Sequence, residues 1–179
     1  ILDMIGQNAL KMDELVVDLL AFSKTGQQAL HKGETDMEAL AKEAFQELEP
    51  IYKNHEIDFR VGPLPKAFGD QTALRQVWIN LISNALKYSS KKDNIRIEIS
   101  GSEDGSNTCY QVKDFGAGYD ARYANKLFNL LQRLHNQADY AGTGIGLASS
   151  HRLVKKHGGR IWSESTLGQG ATFSFCLPK

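Results

Sequence analysis

Residues 80–89 read NLISNALKYS. Asn80, Asn84 and Lys87 recur at helical spacing inside an otherwise apolar run. At about 100° per residue, Leu74, Val77, Trp78, Leu81, Ile82 and Ala85 share one arc of a helix. The two asparagines and the lysine fall on a narrower arc beside it, not opposite. They therefore lie at the edge of a core, where a cleft can open. Amide oxygens in a row suit a hard cation, and a neighbouring ammonium suits phosphate. A solvated helix flank with ordinary surface amides has the same spacing, so this stretch alone leaves both readings open.

Working outward, Asp70 stands where it can cap this helix. Upstream, Ile57-Asp58-Phe59-Arg60-Val61 alternates as a strand does, and Gly62, Pro63 and Pro65 punctuate it. Thr35 and Glu38 have capping-box spacing before a helix that carries Met37, Leu40, Ala41, Ala44, Phe45 and Leu48 up to Pro50. From Ile1 to about Leu30, apolar residues at Ile5, Met12, Leu15, Val16, Leu19 and Phe22 predict one long amphipathic helix whose stripe needs a partner. Around Gly26 and Gly33 that pattern breaks. Downstream, Ile95 to Ser100 and Thr108 to Lys113 predict a hairpin turning at Ser102 to Ser106. A short helix is expected from about Ala121 to Leu134, and another up to His157, ended by Gly158-Gly159. Arg160 to Ser165 and Ala171 to Leu177 predict a closing hairpin. Helices and strands that arrive mixed, with several hairpins, predict an α+β two-layer sandwich rather than a doubly wound parallel sheet.

Composition narrows the function. Lys plus Arg and Asp plus Glu both number 21 of 179 residues, so no global attraction to nucleic acid or membrane is expected and any anion site must be local. No apolar run approaches the roughly 18 residues of a membrane span. Cys109 and Cys176 have no metal spacing, and each lies in an apolar, strand-like run. Two buried free thiols in a reducing compartment are expected. The opening in mid-helix pattern, without Met or signal peptide, suggests a piece of a longer protein.

Two glycine runs sharpen the reading. Asp114-Phe115-Gly116-Ala117-Gly118 directly follows a strand. A carboxylate there can accept from an exocyclic amine while the glycines let a flat ring approach the backbone. Gly142-Thr143-Gly144-Ile145-Gly146-Leu147 opens a helix, whose free amides and dipole form a phosphate cradle. It lacks the preceding strand and the spacing of a dinucleotide-binding fingerprint.

In this order and at these separations, the set resembles the catalytic and ATP-binding domain of sensor histidine kinases, within the wider family that includes gyrase and the heat-shock chaperone ATPases. Asn80 to Tyr88 resembles the N box, Asp114 to Gly118 the G1 box, Leu127 to Arg133 the F box and Gly142 to Leu147 the G2 box. His157-Gly158-Gly159-Arg160-Ile161-Trp162 and Gly168-Gln169-Gly170-Ala171-Thr172-Phe173 resemble the closing hairpin, and Gln132-Arg133-Leu134-His135 is similar to phytochrome-type members. The resemblance implies a Bergerat-type ATP-binding fold preceded by one long bundle helix. Residues 1–32 would be the second helix of a dimerisation and phosphotransfer hairpin, its first helix lying outside the chain, and 33–179 the catalytic domain.

The resemblance also assigns roles. Asn84 would ligate Mg²⁺, with Asn80 supporting metal and phosphates. Lys87 and Tyr88 would contact the ATP, and Asp114, with Gly116 and Gly118 beside it, would hold the adenine amino group. Gly142, Thr143, Gly144, Gly146 and Leu147 would wrap the phosphates. Arg133 would approach the terminal phosphate, on a lid between about Ala121 and Ala141. Leu130-Leu131 in place of the usual Pro-Phe, and Tyr119 in place of an aliphatic, depart from the pattern and concern the lid.

Hydrolytic relatives place a glutamate one turn before the metal asparagine. Asn80 stands there and cannot take a proton, so water attack is expected to be poorly assisted. The expected acceptor is a histidine on another segment. None of His31, His55, His135, His151 and His157 has the required helix and acidic neighbour, and all five are expected at surface or capping positions. The implied function is the kinase half of a two-component sensor. Its partners would be a second copy of the full-length kinase and a response-regulator receiver domain. The implied location is the cytoplasm, without direct membrane contact. The alternatives are a degenerate module that binds ATP without phosphotransfer and a plain dimerisation domain.

Overall fold

The stretch at 80–89 lies in the second half of a helix, α3 (Gln71–Ser89), in a computed structural model that describes residues 2–135 and 140–179. Asp70 caps α3 as expected, its side chain accepting from the Ala73 amide at 2.9 Å. The predicted arc is the buried one: Leu74, Val77, Trp78, Leu81, Ile82 and Ala85 all face inward. Full burial of side chains this size contributes about 1.5–3 kcal/mol each, so α3 is held chiefly by its apolar arc.

Helix α1 (Leu2–Gln27) precedes strand β1 (Lys32–Thr35), helix α2 (Met37–Leu48), strand β2 (Glu56–Val61) and strand β3 (Ala67–Asp70). After α3 come β4 (Asn94–Asp104), β5 (Asn107–Asp114), helix α4 (Gly146–Lys156), β6 (Arg160–Thr166) and β7 (Gly170–Pro178). Five strands form one sheet in the order β2-β4-β5-β7-β6, in which β2 and β4 run parallel and the other pairs antiparallel. Ile95, Ile97, Tyr110, Val112, Phe173 and Phe175 on one face meet α2 and α3 in a single core. Trp78 sits edge-on to Tyr110 and Phe175, with ring centroids at 5.9 and 5.4 Å. The α+β two-layer sandwich with one long leading helix is thus the observed fold.

Several local expectations need correction. The cap of α2 is Asp36, which accepts from the Ala39 amide at 3.0 Å, not Thr35, which belongs to β1. Helix α1 runs past Gly26 to Gln27, with the Arg152 side chain packed against that glycine. The helix expected over 121–134 is a short 3-10 turn, Ala121–Lys126, followed by irregular chain. His157 takes the capping alternative, as the C-cap of α4, and is buried at 3% exposed; Nε2 accepts from the Asp70 amide at 3.0 Å while Nδ1 lies 2.7 Å from the Leu153 carbonyl. It thereby ties the end of α4 to the start of α3.

The thiols are not free either. Cys109 and Cys176 are joined in a disulfide, because antiparallel pairing of β5 with β7 sets them directly opposite one another. Most of the apolar stripe of α1, including Ile5, Met12, Val16 and Leu19, is exposed. No helix among the described residues is long and apolar enough to cross a membrane.

Candidate nucleotide site

The edge of the core does open. A cavity of about 210 Å³ lies between α3, the glycine run before α4, and the ends of β5 and β7. Asn80, Asn84, Lys87 and Tyr88 line it from α3, Asp114 and Gly118 from the end of β5, and Arg133 from the irregular segment. Gly142, Thr143, Gly144, Gly146 and Leu147 line it from the run into α4. Gly116 lies just behind this wall, where a side chain would collide with the Tyr88 carbonyl, so only glycine lets the β5 turn pass α3. Apart from Gly116, every predicted site residue is brought to this one cavity.

Asp114 sits at the deep end, 3% exposed. Its Oδ1 accepts from the Gly116 amide at 3.0 Å and the Ala171 amide at 3.3 Å. Burial pushes its carboxyl up to about 6 and outweighs those two amides, which favour the charged form. Oδ2 has no partner among the described residues. A carboxylate oxygen that lines the cavity without a donor is a ready acceptor for an amino group.

The opposite end is cationic. Burial, assisted by the nearby Arg133 guanidinium, brings the Lys87 ammonium down to about 8. The first turn of α4 carries no side-chain cap, so its amides are left for an anion. Arg133 is latched to the loop: Nη1 donates to the Gly142 carbonyl at 2.6 Å and Nη2 to the Tyr140 carbonyl. To meet a terminal phosphate, the guanidinium has to leave these carbonyls.

The two asparagines differ. Asn84 lines the cavity and makes no side-chain hydrogen bond among the described residues, which leaves its amide oxygen for a cation. Asn80 is already engaged. Its Nδ2 donates to the Gly146 carbonyl and to Ser150 Oγ, both at 3.0 Å, and its Oδ1 accepts from Gln76 at 3.0 Å. Among the described residues, no cluster of three or more His, Cys, Asp or Glu could cage a metal alone. Mg²⁺ is commonly held by one or two protein oxygens plus phosphates and waters, so the donor set fits that ion.

Sequence reasoning missed three contributors, His135, Tyr140 and Asp18, the first two packing on the predicted Tyr88. Tyr88, His135 and Tyr140 form a ring cluster with centroids 5.0–5.2 Å apart at the mouth. Asp18 of α1 also lines the cavity, accepting from Thr143 Oγ1 at 2.5 Å. Around it α1 is bound to α4: Arg152 donates to the Phe22 carbonyl at 2.8 Å, and Lys156 to the Thr25 carbonyl at 2.9 Å. No local pattern in the sequence signals a contact between residues 18 and 143. Part of the proposed lid, residues 136–139, lies outside the described residues. Leu131 holds φ 63°, unusual for a branched side chain, and its amide donates to the Gly144 carbonyl at 3.1 Å.

Residues 69–179 match the family described as histidine kinase-, DNA gyrase B- and HSP90-like ATPase. Phytochrome-like protein Cph1 of Synechocystis is 34% identical over 167 residues, covering 93% of this chain and 22% of that protein. Adaptive-response sensory kinase SasA of Parasynechococcus marenigrum is 33% identical over 191 residues, covering 98% of this chain and 47% of that protein. Full-length ShkA, solved in complex with AMPPNP, superposes with a TM-score of 0.75 at 30% identity over 92% of this chain and 35% of that one. The chain thus spans about a fifth to a half of the length of these curated relatives.

Proposed function

The chain belongs to the histidine kinase-, DNA gyrase B- and HSP90-like ATPase family, and from that premise we propose that it is the ATP-binding, catalytic part of a sensor histidine kinase. In this reading it transfers the γ-phosphate of Mg-ATP to a histidine on a dimerisation hairpin, from which an aspartate of a response-regulator receiver domain takes it. The observation that carries the proposal is the polarity of the cavity. A buried carboxylate lies at one end, and at the other lie an amide oxygen, two cations and an uncapped helix start.

Asp114 accepts from the adenine amino group, with Gly116 and Gly118 leaving room for the ring. Lys87 and the first amides of α4 hold the phosphates, and Thr143 and Gly144 shape the loop around them. Asn84 would hold Mg²⁺, which would supply charge neutralisation at the phosphates. Arg133 exchanges the Gly142 carbonyl for the terminal phosphate. Asn80 acts by fixing α4 against α3, and it supplies no base, so water is not activated and phosphate waits for an imidazole. The same reading makes residues 1–32 one helix of the dimerisation hairpin, its exposed apolar stripe meeting further helices in a homodimer, and it puts the chain's work in the cytoplasm.

The test uses residues 1–179 with labelled ATP and Mg²⁺, with and without a phosphoacceptor hairpin from a phytochrome-like relative. The expected result is acid-labile, base-stable label on the added hairpin and none on this chain. Nucleotide binding without any transfer to that hairpin, or to one from the same gene, would instead support a module that only binds ATP.

A further inference from the structure

The outer face of the sheet, away from the nucleotide cavity, carries a row of side chains that the proposed function does not use. Strand register aligns Ser102 of β4 with Cys109 of β5, Cys109 with Cys176 of β7, and Cys176 with Arg160 of β6. Side chains directly opposite on neighbouring strands share a face, so these four lie side by side across the sheet. Their neighbours Tyr110 and Phe175 point the other way, into the core, so the disulfide is on the solvent side.

The two sulfurs are not equivalent. Cys109 belongs to a partly exposed position flanked by exposed Ser102, whereas Cys176 is 3% exposed. Beside Cys176 stands the exposed Arg160, whose guanidinium lies over the Trp162 ring at 4.7 Å. Cys109 is the more accessible of the two to an incoming nucleophile, and Cys176 lies opposite a cationic residue in strand register, which favours a departing thiolate there.

We propose that Cys109 and Cys176 form a reversible redox site that exchanges with dithiols, Cys109 being the sulfur attacked and Cys176 the sulfur released. A thiolate of the dithiol bonds to Cys109 Sγ. The bond between the two cysteine sulfurs breaks, and its electron pair leaves on Cys176, which takes a proton from solvent. The second thiol of the dithiol then gives up its proton and attacks the sulfur now attached to Cys109. That releases Cys109 as a thiolate and the dithiol as a disulfide. The bridge gains two electrons and the dithiol loses two. Because the bridge closes a loop of 67 residues between adjacent strands, opening it loosens the sheet.

The test needs no nucleotide and stands apart from the kinase reading. Thiols are counted by maleimide labelling in denaturant after the folded protein has been treated with dithiothreitol, then with oxidised glutathione. The expected counts are none as purified under air, two after the dithiol, and none again after the oxidant, with a melting temperature several degrees lower in the reduced form. In single variants, glutathione should attach to Cys109 in Cys176→Ser at least tenfold faster than to Cys176 in Cys109→Ser. Arg160→Gln should slow reduction of the bridge severalfold. Two free thiols after the oxidant would overturn the proposal. So would a bridge that opens only in denaturant, or the reverse order of glutathione uptake. The first two readouts use the unmutated chain, so they decide even if a serine variant fails to fold.

Discussion

Asp114 titrates in a range where its role can be read directly. Burial raises its carboxyl to about 6. If the ionised form accepts the adenine amino group, binding should follow the ionised fraction. At pH 5, a unit below that value, roughly one carboxyl in eleven is charged, against nearly all at pH 7.5. Affinity should therefore fall about tenfold between pH 7.5 and 5. Adenosine is the right probe, because phosphates with a second pKa near 6, and the Lys87 ammonium at about 8, would blur the curve for ATP. Titration calorimetry at several pH values gives the profile.

The stability sign runs the other way. The folded carboxyl titrates above its ordinary value of 3.8, so its contribution is fully present below that value and is lost as pH rises through about 6. Unliganded protein should lose stability across this window while adenosine binding gains. Asp114→Asn should weaken adenosine by about 1–3 kcal/mol at pH 7.5, as expected for a mismatched buried partner, and should flatten the profile. An unmutated protein whose affinity stays level from pH 7.5 to 5, or an Asn variant that keeps the slope, would remove Asp114 from base recognition.

Asn84→Ala should retain part of the ADP affinity yet lose its dependence on Mg²⁺; calorimetry with and without the metal checks this, and an unchanged metal response would refute the ligand role. Asp18→Asn keeps an acceptor for Thr143 but removes a negative charge from the cavity, so ATP should bind about 2–5-fold tighter while adenosine is unaffected. Equal effects on both ligands would show that the charge does not face the phosphates. Burial lowers the His157 imidazole below its ordinary 6.5, so its neutral form stabilises the fold above that value and the contribution is lost as pH falls through the lowered one. The gap in melting temperature between the unmutated chain and His157→Gln should accordingly be widest at pH 7.5 and narrow toward pH 5.

What was legible in the sequence was what local pattern encodes. The buried arc of α3, its Asp70 cap, and Asp114 at a strand end before glycines each depend on residues a few positions apart. The rest depends on pairings across the chain. Strand β1 has one buried position, Thr35, and owes its existence to β3, more than thirty residues away. The bridge between Cys109 and Cys176 follows from the β5–β7 register, which apolar runs do not reveal. Thr35 and Asp36 both suit a cap, and the pairing of Thr35 with Ala67 decided for Asp36. His157 looked like a helix-end residue, but its imidazole turns inward because the Asp70 amide needs an acceptor there. Asp18 and the Arg133 latch depend on where α1 and the loop come to rest, which no spacing records.

Asn80 shows how a chemical reading changes once its neighbours are known. In the sequence, an amide where hydrolytic relatives hold a glutamate invites the idea that Asn80→Glu would create a base and modest ATP hydrolysis. In the fold, the Asn80 amide is a donor: Nδ2 reaches the Gly146 carbonyl and Ser150 Oγ, so it pins the start of α4 to the flank of α3. At the other end of α4, His157 pins it to the start of α3. The glycine loop is therefore presented by a helix clamped at both ends. A glutamate has no proton to donate at neutral pH, and its carboxylate would face the Gly146 carbonyl oxygen. Losing the two bonds and adding that repulsion should cost about 1–3 kcal/mol, or about 3–9 °C in melting temperature for a domain of this size. The loop that holds the phosphates would loosen with it. Asn80→Glu should thus melt earlier, bind ATP more weakly and hydrolyse it no faster than the unmutated chain. Faster hydrolysis at unchanged stability would show that the clamp is dispensable, and that the missing carboxylate alone withholds water from the phosphate.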